Sequence, residues 1–400
     1  MSEGVLQNAR MDDGLIRSIS LGLSQRGVRD HNERLLLSLI QRHGAMPASD
    51  LARYAGLSPP TVSTILKRLE AEGLVARGDP VRGKVGKPSV PMGLSPDGAF
   101  SFGLKIGRRS AELALIDLCG VMRHERHLTY PEPVAAEVFD FVEKGIFEIS
   151  ESLPEAQRQR ICGLGVAAAF EIWNWPEQGS IARTEFLTWR SVDLRQDLQS
   201  LTGLPVSLIN DATAACQAEH TYGRGKEFRD YAYFFIGAYI GGGVVLDHAV
   251  YEGRQGNAGA LGSLRTIGPN GESMQLVEMA SIRQLEKRLR EVDLDPRVLW
   301  TDPDSWTALS RYVDPWLGQT AQELAKAALS TCSVIDFEAI LIDGAFPSDI
   351  REDLVVRVRR YVTTQDMRGL IPPRIEAGCI GRKARAIGAA TRPINTQFFL

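Results

Sequence analysis

The stretch FGLKIGRRSAELALIDLCG, residues 102–120, decides the fold of the larger part of this chain. It predicts an apolar strand, a tight glycine turn and a second apolar strand that ends near Asp117, a hairpin of the kind that cradles phosphate. A nucleotide site of this kind normally needs a carboxylate to hold magnesium. Lys105 stands where that carboxylate is expected, and Arg108 and Arg109 follow where small residues would let a phosphate approach. Whether the hairpin still serves a nucleotide is therefore the question that the sequence raises.

Strand-like and helix-like segments alternate after residue 96, which predicts an α/β architecture. ICGLGVAAAF (161–170) is typical of a buried strand, and LPVSLINDATAACQAEH (204–220) passes from strand to helix at Asn210 and Asp211. We expect both side chains at a strand end, where ligands of such sheets bind. YAYFFIGAYIGGGVV (231–245) then repeats the strand, glycine turn and strand of the opening hairpin, which indicates two similar halves.

The first 95 residues follow a different pattern. ASDLARYAG (48–56) predicts a helix that ends at a glycine, and Ser58 and Pro59 suit the start of a second helix, SPPTVSTILKRLEAEG (58–73). Two helices joined by a short turn predict a helix-turn-helix, and two short strands around a glycine-rich tip predict a wing. The residues expected to contact DNA are Pro60, Thr61, Thr64, Lys67 and Arg68 on the helix and Arg82, Lys84 and Lys87 on the wing.

A cationic helix face or a basic loop, taken alone, is most often only a solvated surface. Here the two follow each other in the order of a winged helix. Residues 1–95 also hold 13 Lys and Arg against 9 Asp and Glu, although the whole chain has a net charge of −3. Together these features favour binding to double-stranded DNA.

Composition limits the remaining possibilities. A chain of 400 residues with 44% apolar and 24% charged residues is ordinary for a globular protein of two or three domains. It contains no apolar run long enough for a membrane helix and begins with a polar segment, so we expect a cytoplasmic protein without a membrane partner. The five cysteines are widely spaced, which predicts reduced packing residues and no metal site.

The segments after residue 96 resemble the ROK family, which joins sugar kinases to sugar-responsive repressors. The motifs that carry the resemblance, in addition to the opening hairpin, are GLGVAAAF, TWRSVDL, LINDATAA, GAYIGGGVV, EGRQGNAGALG, ILIDGAF and GRKARAIGAA. The resemblance implies a two-lobed, actin-like and sugar-kinase-like fold. A winged helix in front of it resembles the repressor branch of the family.

Several positions depart from the motifs of the family's kinases. Residues 105–109 replace the D-x-G-G-T pattern, and Lys105 stands at the position of the Asp. Its ammonium group cannot ligate magnesium. The second glycine loop of the family, G-T-G-I-G-G-G, is GAYIGGG (237–243) in this chain. The family's sugar-holding motif, E-x-G-H, is replaced by residues Ala260 to Ser263. The cysteine-rich zinc segment is replaced by TIGPNGESMQLVEMAS (266–281). These departures predict no catalytic residue, no metal and no cofactor.

The resemblance also supplies candidate ligand residues. Asn210 and Asp211 match the family's substrate and base positions, and a strand-end Asp that merely caps a helix is nearly as plausible. Trp189 is a candidate for stacking on a sugar ring, although a core tryptophan is the commoner case. Glu278 stands beside the position of a sugar-binding carboxylate in the family.

These observations predict a flexible arm at residues 1–28, a winged helix at 29–95 and an effector and dimerisation domain at 96–400, with lobes at about 96–210 and 211–400. The leading hypothesis is a transcriptional repressor, a dimer or tetramer on a palindromic operator, whose degenerate kinase-like domain senses a sugar or a related metabolite. One alternative is an active ATP-dependent hexose kinase with an attached DNA-binding domain. Another is a constitutive DNA binder without a ligand.

Overall fold

The computed structural model describes residues 25–80, 90–169, 188–301 and 306–400, and the labels below number the elements within these ranges. The amino-terminal part is a winged helix whose small antiparallel sheet has the strand order β1-β3-β2. Its elements are α1 (Gln25–His43), β1 (Met46–Pro47), α2 (Ala48–Ala55), α3 (Pro59–Ala71), β2 (Val75–Arg77) and β3 (Pro91–Leu94).

Local sequence explains how this part folds. Gly56 ends α2 with a left-handed backbone (φ 66°), a conformation that glycine adopts without strain. Ser58 then caps α3, because its hydroxyl accepts a hydrogen bond from the amide of Thr61, and Pro59 occupies the first turn. The predicted helix-turn-helix and wing strands are confirmed. Helix α1 begins at Gln25, inside the predicted arm, whereas residues 1–24 and the wing tip with Arg82, Lys84 and Lys87 lie outside the described residues.

The first large sheet has the order β6-β5-β4-β7-β8. Its strands are β4 (Phe100–Ile106), β5 (Ser110–Asp117), β6 (Met122–Thr129), β7 (Ile161–Ala168) and β8 (Val206–Asn210). Strands β4, β5 and β6 are antiparallel neighbours, and β7 and β8 continue the sheet in parallel with β4. Helices α4 (Ala135–Ser152), α5 (Glu155–Arg158) and α6 (Leu194–Thr202) belong to this half of the chain.

The second large sheet repeats the same plan with the order β11-β10-β9-β14-β15. Its strands are β9 (Tyr231–Ile236), β10 (Ile240–Leu246), β11 (Ala249–Tyr251), β14 (Ala339–Gly344) and β15 (Arg374–Ala377). Again an antiparallel hairpin is extended by parallel strands. The repetition predicted from the two glycine turns is therefore confirmed.

Smaller elements and helices accompany the second sheet. They are β12 (Arg265–Ile267), β13 (Ser273–Gln275), α8 (Leu276–Met279), α9 (Ile282–Arg290), α10 (Val298–Thr301), α11 (Ser310–Cys332) and α12 (Ser348–Val362). The core of this half includes a cluster of three edge-to-face aromatic rings, Trp306, Trp316 and Phe346.

Two helices lie between the sheets, α7 (Asp211–Tyr222) and the carboxy-terminal α13 (Ala384–Phe398). Helix α13 packs directly on the backbone of the first sheet, although it follows the last strand of the second. A Cβ atom added at Gly165 of β7 would lie 1.8 Å from the carbonyl oxygen of Ala389, so only glycine permits this approach. Similarly, a Cβ atom at Gly388 would lie 1.7 Å from the carbonyl oxygen of Ala214 in α7.

The far end of α13 packs against the winged helix. Leu36 and Leu66 of the winged helix share one buried cluster with Leu118, which directly follows β5, and with Ile394 and Phe399. The two parts of the molecule thus share a continuous core. None of the described helices has the length and apolar character that crossing a membrane requires.

Candidate functional site

A cavity of about 420 Å³ lies between the two large sheets. The turn of the first hairpin contributes Gly107 and Arg108, and the second hairpin contributes Gly241. Asn210 and Asp211 also line it, because β8 ends and α7 begins at this edge. The structure thus brings both predicted strand-end residues together with both glycine turns, at the position typical of ligand sites in such sheets.

Asn210 and Asp211 differ in their contacts. The side-chain oxygen of Asn210 accepts hydrogen bonds from the amides of Ala212 (3.0 Å) and Thr213 (3.2 Å), so this residue caps α7. The carboxylate of Asp211 pairs with the guanidinium of Arg385, with Oδ2 and Nη1 3.4 Å apart. Asn210 therefore has a structural role at the cavity wall, whereas Asp211 presents a charged group to the cavity.

The ammonium group of Lys105 is 3.0 Å from the carboxylate of Glu112 and 2.7 Å from the hydroxyl of Ser110, to both of which it donates hydrogen bonds. Lys105 is only 2% exposed. The antiparallel register places it directly opposite Glu112. A Cβ atom at Gly107 would lie 2.8 Å from this ammonium group, which shows that the lysine folds back beneath the glycine turn.

The buried pair is held in its ionised form by its surroundings. Burial lowers the pKa of Lys105 to about 8, against the opposing attraction of Glu112. Burial alone would raise the pKa of Glu112, but Lys105 and Arg385 together lower it to about 2. At neutral pH the two charges therefore neutralise each other inside the hairpin.

Arginine side chains occupy the space near the two turns. Arg109 donates a hydrogen bond of 3.0 Å to the carboxylate of Glu286 on α9, and its guanidinium lies 5.2 Å from the ring centre of Trp300. Both partners belong to the second half of the molecule, so Arg109 ties the first hairpin to it. The guanidinium of Arg108 lies 5.7 Å from the ring centre of Tyr239, in the second turn.

The residues present do not fit a magnesium nucleotide. Lys105 offers the metal an ammonium group, which repels a divalent cation and has no lone pair to donate while it is charged. The guanidinium of Arg109 is already engaged with the carboxylate of Glu286. Within the ranges that the structure describes, no group of three or more His, Cys, Asp and Glu residues is arranged to hold a metal ion.

Two of the predicted ligand residues lie away from the cavity wall. Trp189 is 2% exposed in the core of the first half, where its indole N–H donates a 2.8 Å hydrogen bond to the carbonyl of Pro133 and its ring packs edge-to-face on Phe139. It is packed as a core tryptophan, the commoner case for this residue type, and it is absent from the described lining of the cavity, so its stacking role stays a prediction. Glu278 accepts a 3.0 Å hydrogen bond from the amide of Gln275 and caps α8, and its role as a ligand contact stays a prediction.

The predicted DNA-facing surface of α3 is largely free. Pro60, Thr61, Thr64 and Lys67 are exposed, opposite the buried apolar stripe of the helix. Arg68 differs, because it forms ion pairs with Glu33 of α1 and Glu72 at the end of α3. Its guanidinium therefore stabilises the helix-turn-helix.

Sequence reasoning missed Glu112 and Arg385. Counting outward from the glycine turn pairs position 105 with position 112, so the hairpin register held a signal for the buried ion pair. No comparable signal exists for Arg385, which lies 174 residues from Asp211 in the chain.

Comparisons with known proteins agree with this geometry. The model of the ROK family matches residues 101–392, and the model of the MarR family matches residues 31–81. The xylose repressor of Bacillus subtilis is 27% identical over 61% of this chain and 62% of its own length.

Two solved structures share the fold. A ROK family transcriptional regulator, a homologue of the E. coli MLC protein, has a TM-score of 0.64 and 21% identity over 92% of this chain and 96% of its own. A ROK family glucokinase from Streptomyces griseus, solved with glucose and AMPPNP, has a TM-score of 0.58 and 20% identity over 74% of this chain and 99% of its own. The kinase thus lacks a counterpart for about a quarter of this chain. Since the family model matches residues 101–392, this chain belongs to the ROK family.

Proposed function

We propose that this chain is a DNA-binding transcriptional repressor whose kinase-like domain senses a small molecule and transfers no phosphate. The observation that carries the proposal is helix α13. Its first turn lines the cavity through Arg385, and its far end packs into the core of the winged helix. A ligand in the cavity and the DNA-binding helices are therefore in contact with the same helix.

The contact between α13 and the winged helix is polar as well as apolar. The guanidinium of Arg34 in α1 donates a hydrogen bond of 2.7 Å to the carbonyl of Phe399, and the amide of Leu400 donates one of 3.0 Å to the hydroxyl of Ser38. A helix of this length spans about 22 Å. A ligand that binds more tightly to one orientation of α13 increases the population of that orientation. Because α1 contacts α13, the orientation of α1 changes with it, which is the requirement for allosteric control.

For DNA binding, we propose that α3 enters the major groove with Pro60, Thr61, Thr64 and Lys67 facing the bases and phosphates. Arg82, Lys84 and Lys87 of the wing contact the backbone, where cations give salt-dependent affinity. Two winged helices must reach successive major grooves, so the protein acts as a dimer or larger oligomer on a palindromic site. It works where the DNA is, in the cytoplasm.

The absence of phosphoryl transfer follows from electrostatics. A kinase needs positively charged groups that contact the phosphates, together with carboxylates that hold magnesium. Lys105 and Glu112 neutralise each other instead, and Arg109 is engaged with Glu286. Asp211 retains the family's base position, and it serves here as a wall of the sensing cavity.

Genome-wide mapping of the sites bound by the full-length protein tests the regulator proposal, because the bound sequences give the operator and neighbouring genes suggest the metabolite. The purified protein should bind fragments carrying these sites. Lys67→Ala should weaken that binding and leave the oligomeric state unchanged. Lys144→Ala, an exposed lysine of the kinase-like domain paired with Asp140, is the matched control. Unspecific occupancy of the genome, or equal binding by both variants, would contradict the proposal.

An active hexose kinase remains the competing function, since Asp211 lies in the cavity beside both glycine turns. A coupled assay with ATP, magnesium and a panel of hexoses decides between the two. We expect turnover no faster than that of the Asp211→Asn variant. Turnover that depends on Asp211 would establish the kinase.

A further inference from the structure

We propose that two buried polar side chains, Glu323 and Ser281, hold residues 264–281 against the cavity and take the place of the zinc ion that the family resemblance implies for this segment. Glu323 is then a positioning residue for the wall of the effector site and not a ligand contact. The inference rests on the proposed function in one respect: it takes this cavity as the effector site.

The segment reaches the cavity through the small hairpin of β12 and β13. Gln275 of β13 lines the cavity, and so do Val277, two residues further on, and Ser263, two residues before β12. The antiparallel register of the two strands pairs Gln275 with Arg265. The shape of this hairpin therefore determines where three side chains of the cavity wall stand.

Glu323 of α11 anchors the first strand of the hairpin. It is 5% exposed, and one of its carboxylate oxygens accepts a hydrogen bond from the hydroxyl of Thr266 in β12. The other oxygen accepts a hydrogen bond of 2.7 Å from the ammonium group of Lys326. A buried carboxylate requires such partners, because an unpaired charge is costly away from water. The hairpin thus supplies one of the contacts that keep Glu323 buried, and Glu323 in turn fixes the hairpin on α11.

Ser281 anchors the end of the segment. It is fully buried, and its hydroxyl accepts a 2.9 Å hydrogen bond from the amide of Ile240 in the second glycine hairpin and donates one of 2.6 Å to the carbonyl of Val277. Its own carbonyl accepts a 3.1 Å hydrogen bond from the indole of Trp316 on α11. A Cβ atom at Gly262 would lie 2.3 Å from the carbonyl oxygen of Ile240, so the turn before β12 packs on the backbone of the same hairpin.

The residues of this segment do not fit a zinc ion. Structural zinc is held by four Cys or His side chains, and residues 266–281 contain neither. The two carboxylates of the segment are engaged in its own turns, because Glu272 accepts a 2.9 Å hydrogen bond from the amide of Asn270 and Glu278 caps α8. The contacts of Glu323 and Ser281 supply the cross-links that a metal ion would otherwise supply.

Hydrogen exchange of the full-length protein, followed by mass spectrometry in peptides from residues 257–281, measures how firmly the cavity wall is held. Thr266→Val removes the hydroxyl bound to Glu323 and keeps the shape of the side chain, so exchange in these peptides should become about tenfold faster or more. Glu323→Ala should have the same effect in the same peptides. Glu323→Gln should stay close to the wild type, because its side-chain oxygen still accepts the hydrogen bond of Thr266 while the half-exposed Lys326 turns to water.

Thr331→Val is the matched control, since it removes a hydroxyl that is bonded within α11 alone, to the carbonyl of Ala327. Calorimetry should detect a lower unfolding temperature for this variant as for Thr266→Val, but exchange in residues 257–281 should stay at the wild-type rate. Wild-type exchange in Thr266→Val, or equally fast exchange in Thr331→Val, would overturn the role of Glu323. Thr266→Val alone decides the outcome if Glu323→Ala fails to fold.

Zinc content tests the replacement of the metal. Inductively coupled plasma mass spectrometry of the full-length protein, purified without a chelator, should find far less than one zinc ion per chain. EDTA should leave both the unfolding temperature and the exchange rates unchanged. A stoichiometric zinc ion whose removal by EDTA speeds exchange in residues 257–281 would overturn the inference.

The two proposals fail in distinguishable ways. A protein that binds no specific DNA but shows these exchange rates would contradict the repressor and leave the anchored cavity wall intact. Specific DNA binding together with a zinc-dependent segment would contradict the anchors and leave the repressor intact.

Discussion

The substitution Glu112→Gln tests whether the buried ion pair of Lys105 and Glu112 stabilises the folded protein. Glutamine keeps the shape of the side chain and can still accept a hydrogen bond from Lys105, so the change removes mainly the charge. The carboxylate has 12% of its side chain exposed and lies 3.0 Å from the ammonium group. Its pKa is lowered from the ordinary 4.5 to about 2, and each unit corresponds to about 1.4 kcal/mol. We therefore expect a loss of about 3 kcal/mol in the free energy of unfolding at pH 7.

The pH dependence follows from the direction of the shift. A carboxyl group whose pKa is lowered by folding stabilises the folded state above its unfolded pKa, here 4.5. That stabilisation is lost as the pH falls from 4.5 to about 2. Glu112→Gln lacks it at every pH, so the difference between the wild type and the variant should shrink across this range. The double variant Lys105→Met, Glu112→Gln should recover most of the loss, since a buried pair replaced as a whole costs little.

Urea unfolding followed by circular dichroism, repeated between pH 2 and pH 7, measures these quantities. Glu151→Gln provides the matched control, because it removes a carboxylate from an exposed ion pair with Arg158. Such exposed pairs contribute at most about 1 kcal/mol. A loss below about 1 kcal/mol for Glu112→Gln at pH 7, or a difference from the wild type that stays constant down to pH 2, would refute the buried ion pair.

Three further predictions concern the other parts of the molecule. Arg68→Ala should lower the unfolding temperature measured by calorimetry, because it leaves Glu33 without its partner. Lys67→Ala should leave this temperature unchanged and weaken the DNA binding measured by gel-shift titration. Arg34→Ala should reduce the effect of the effector on DNA affinity and leave effector binding unchanged, as titrations of each ligand in the presence of the other would reveal. Arg109→Ala removes the bridge to Glu286, so calorimetry should detect a lower unfolding temperature and hydrogen exchange should detect faster exchange in the hairpin around residue 107.

Much of the fold follows from short-range signals in the sequence. Ser58 at the start of α3 and the glycine turn at residue 107 act through contacts within a few residues, so their effects can be predicted from local patterns. The strand-to-helix junction at Asn210 and Asp211 is predictable for the same reason. The register of the first hairpin would also have given the pairing of Lys105 with its partner.

The remaining features depend on contacts that no local pattern determines. Arg385 meets Asp211 because α13 returns to the first sheet, and that return depends on glycines far apart in the chain. The burial of Trp189 depends on the packing of α4 against it, which the residue type alone does not specify. Likewise, the sequence pattern gives the side of α3 on which Arg68 lies, but it does not give the ion pair of Arg68 with Glu33 in α1.

The packing of α13 also constrains how a signal travels. Its backbone contacts the first sheet so closely at Gly165 that the helix and this sheet must move as one body. The winged helix joins the same body through its core with Ile394 and Phe399. The second sheet contributes the opposite wall of the cavity and meets this body through contacts such as that of Arg109 with Glu286. An effector that changes the angle between the two walls therefore turns the DNA-binding helices together with the first sheet, and no local unfolding is needed to carry the signal.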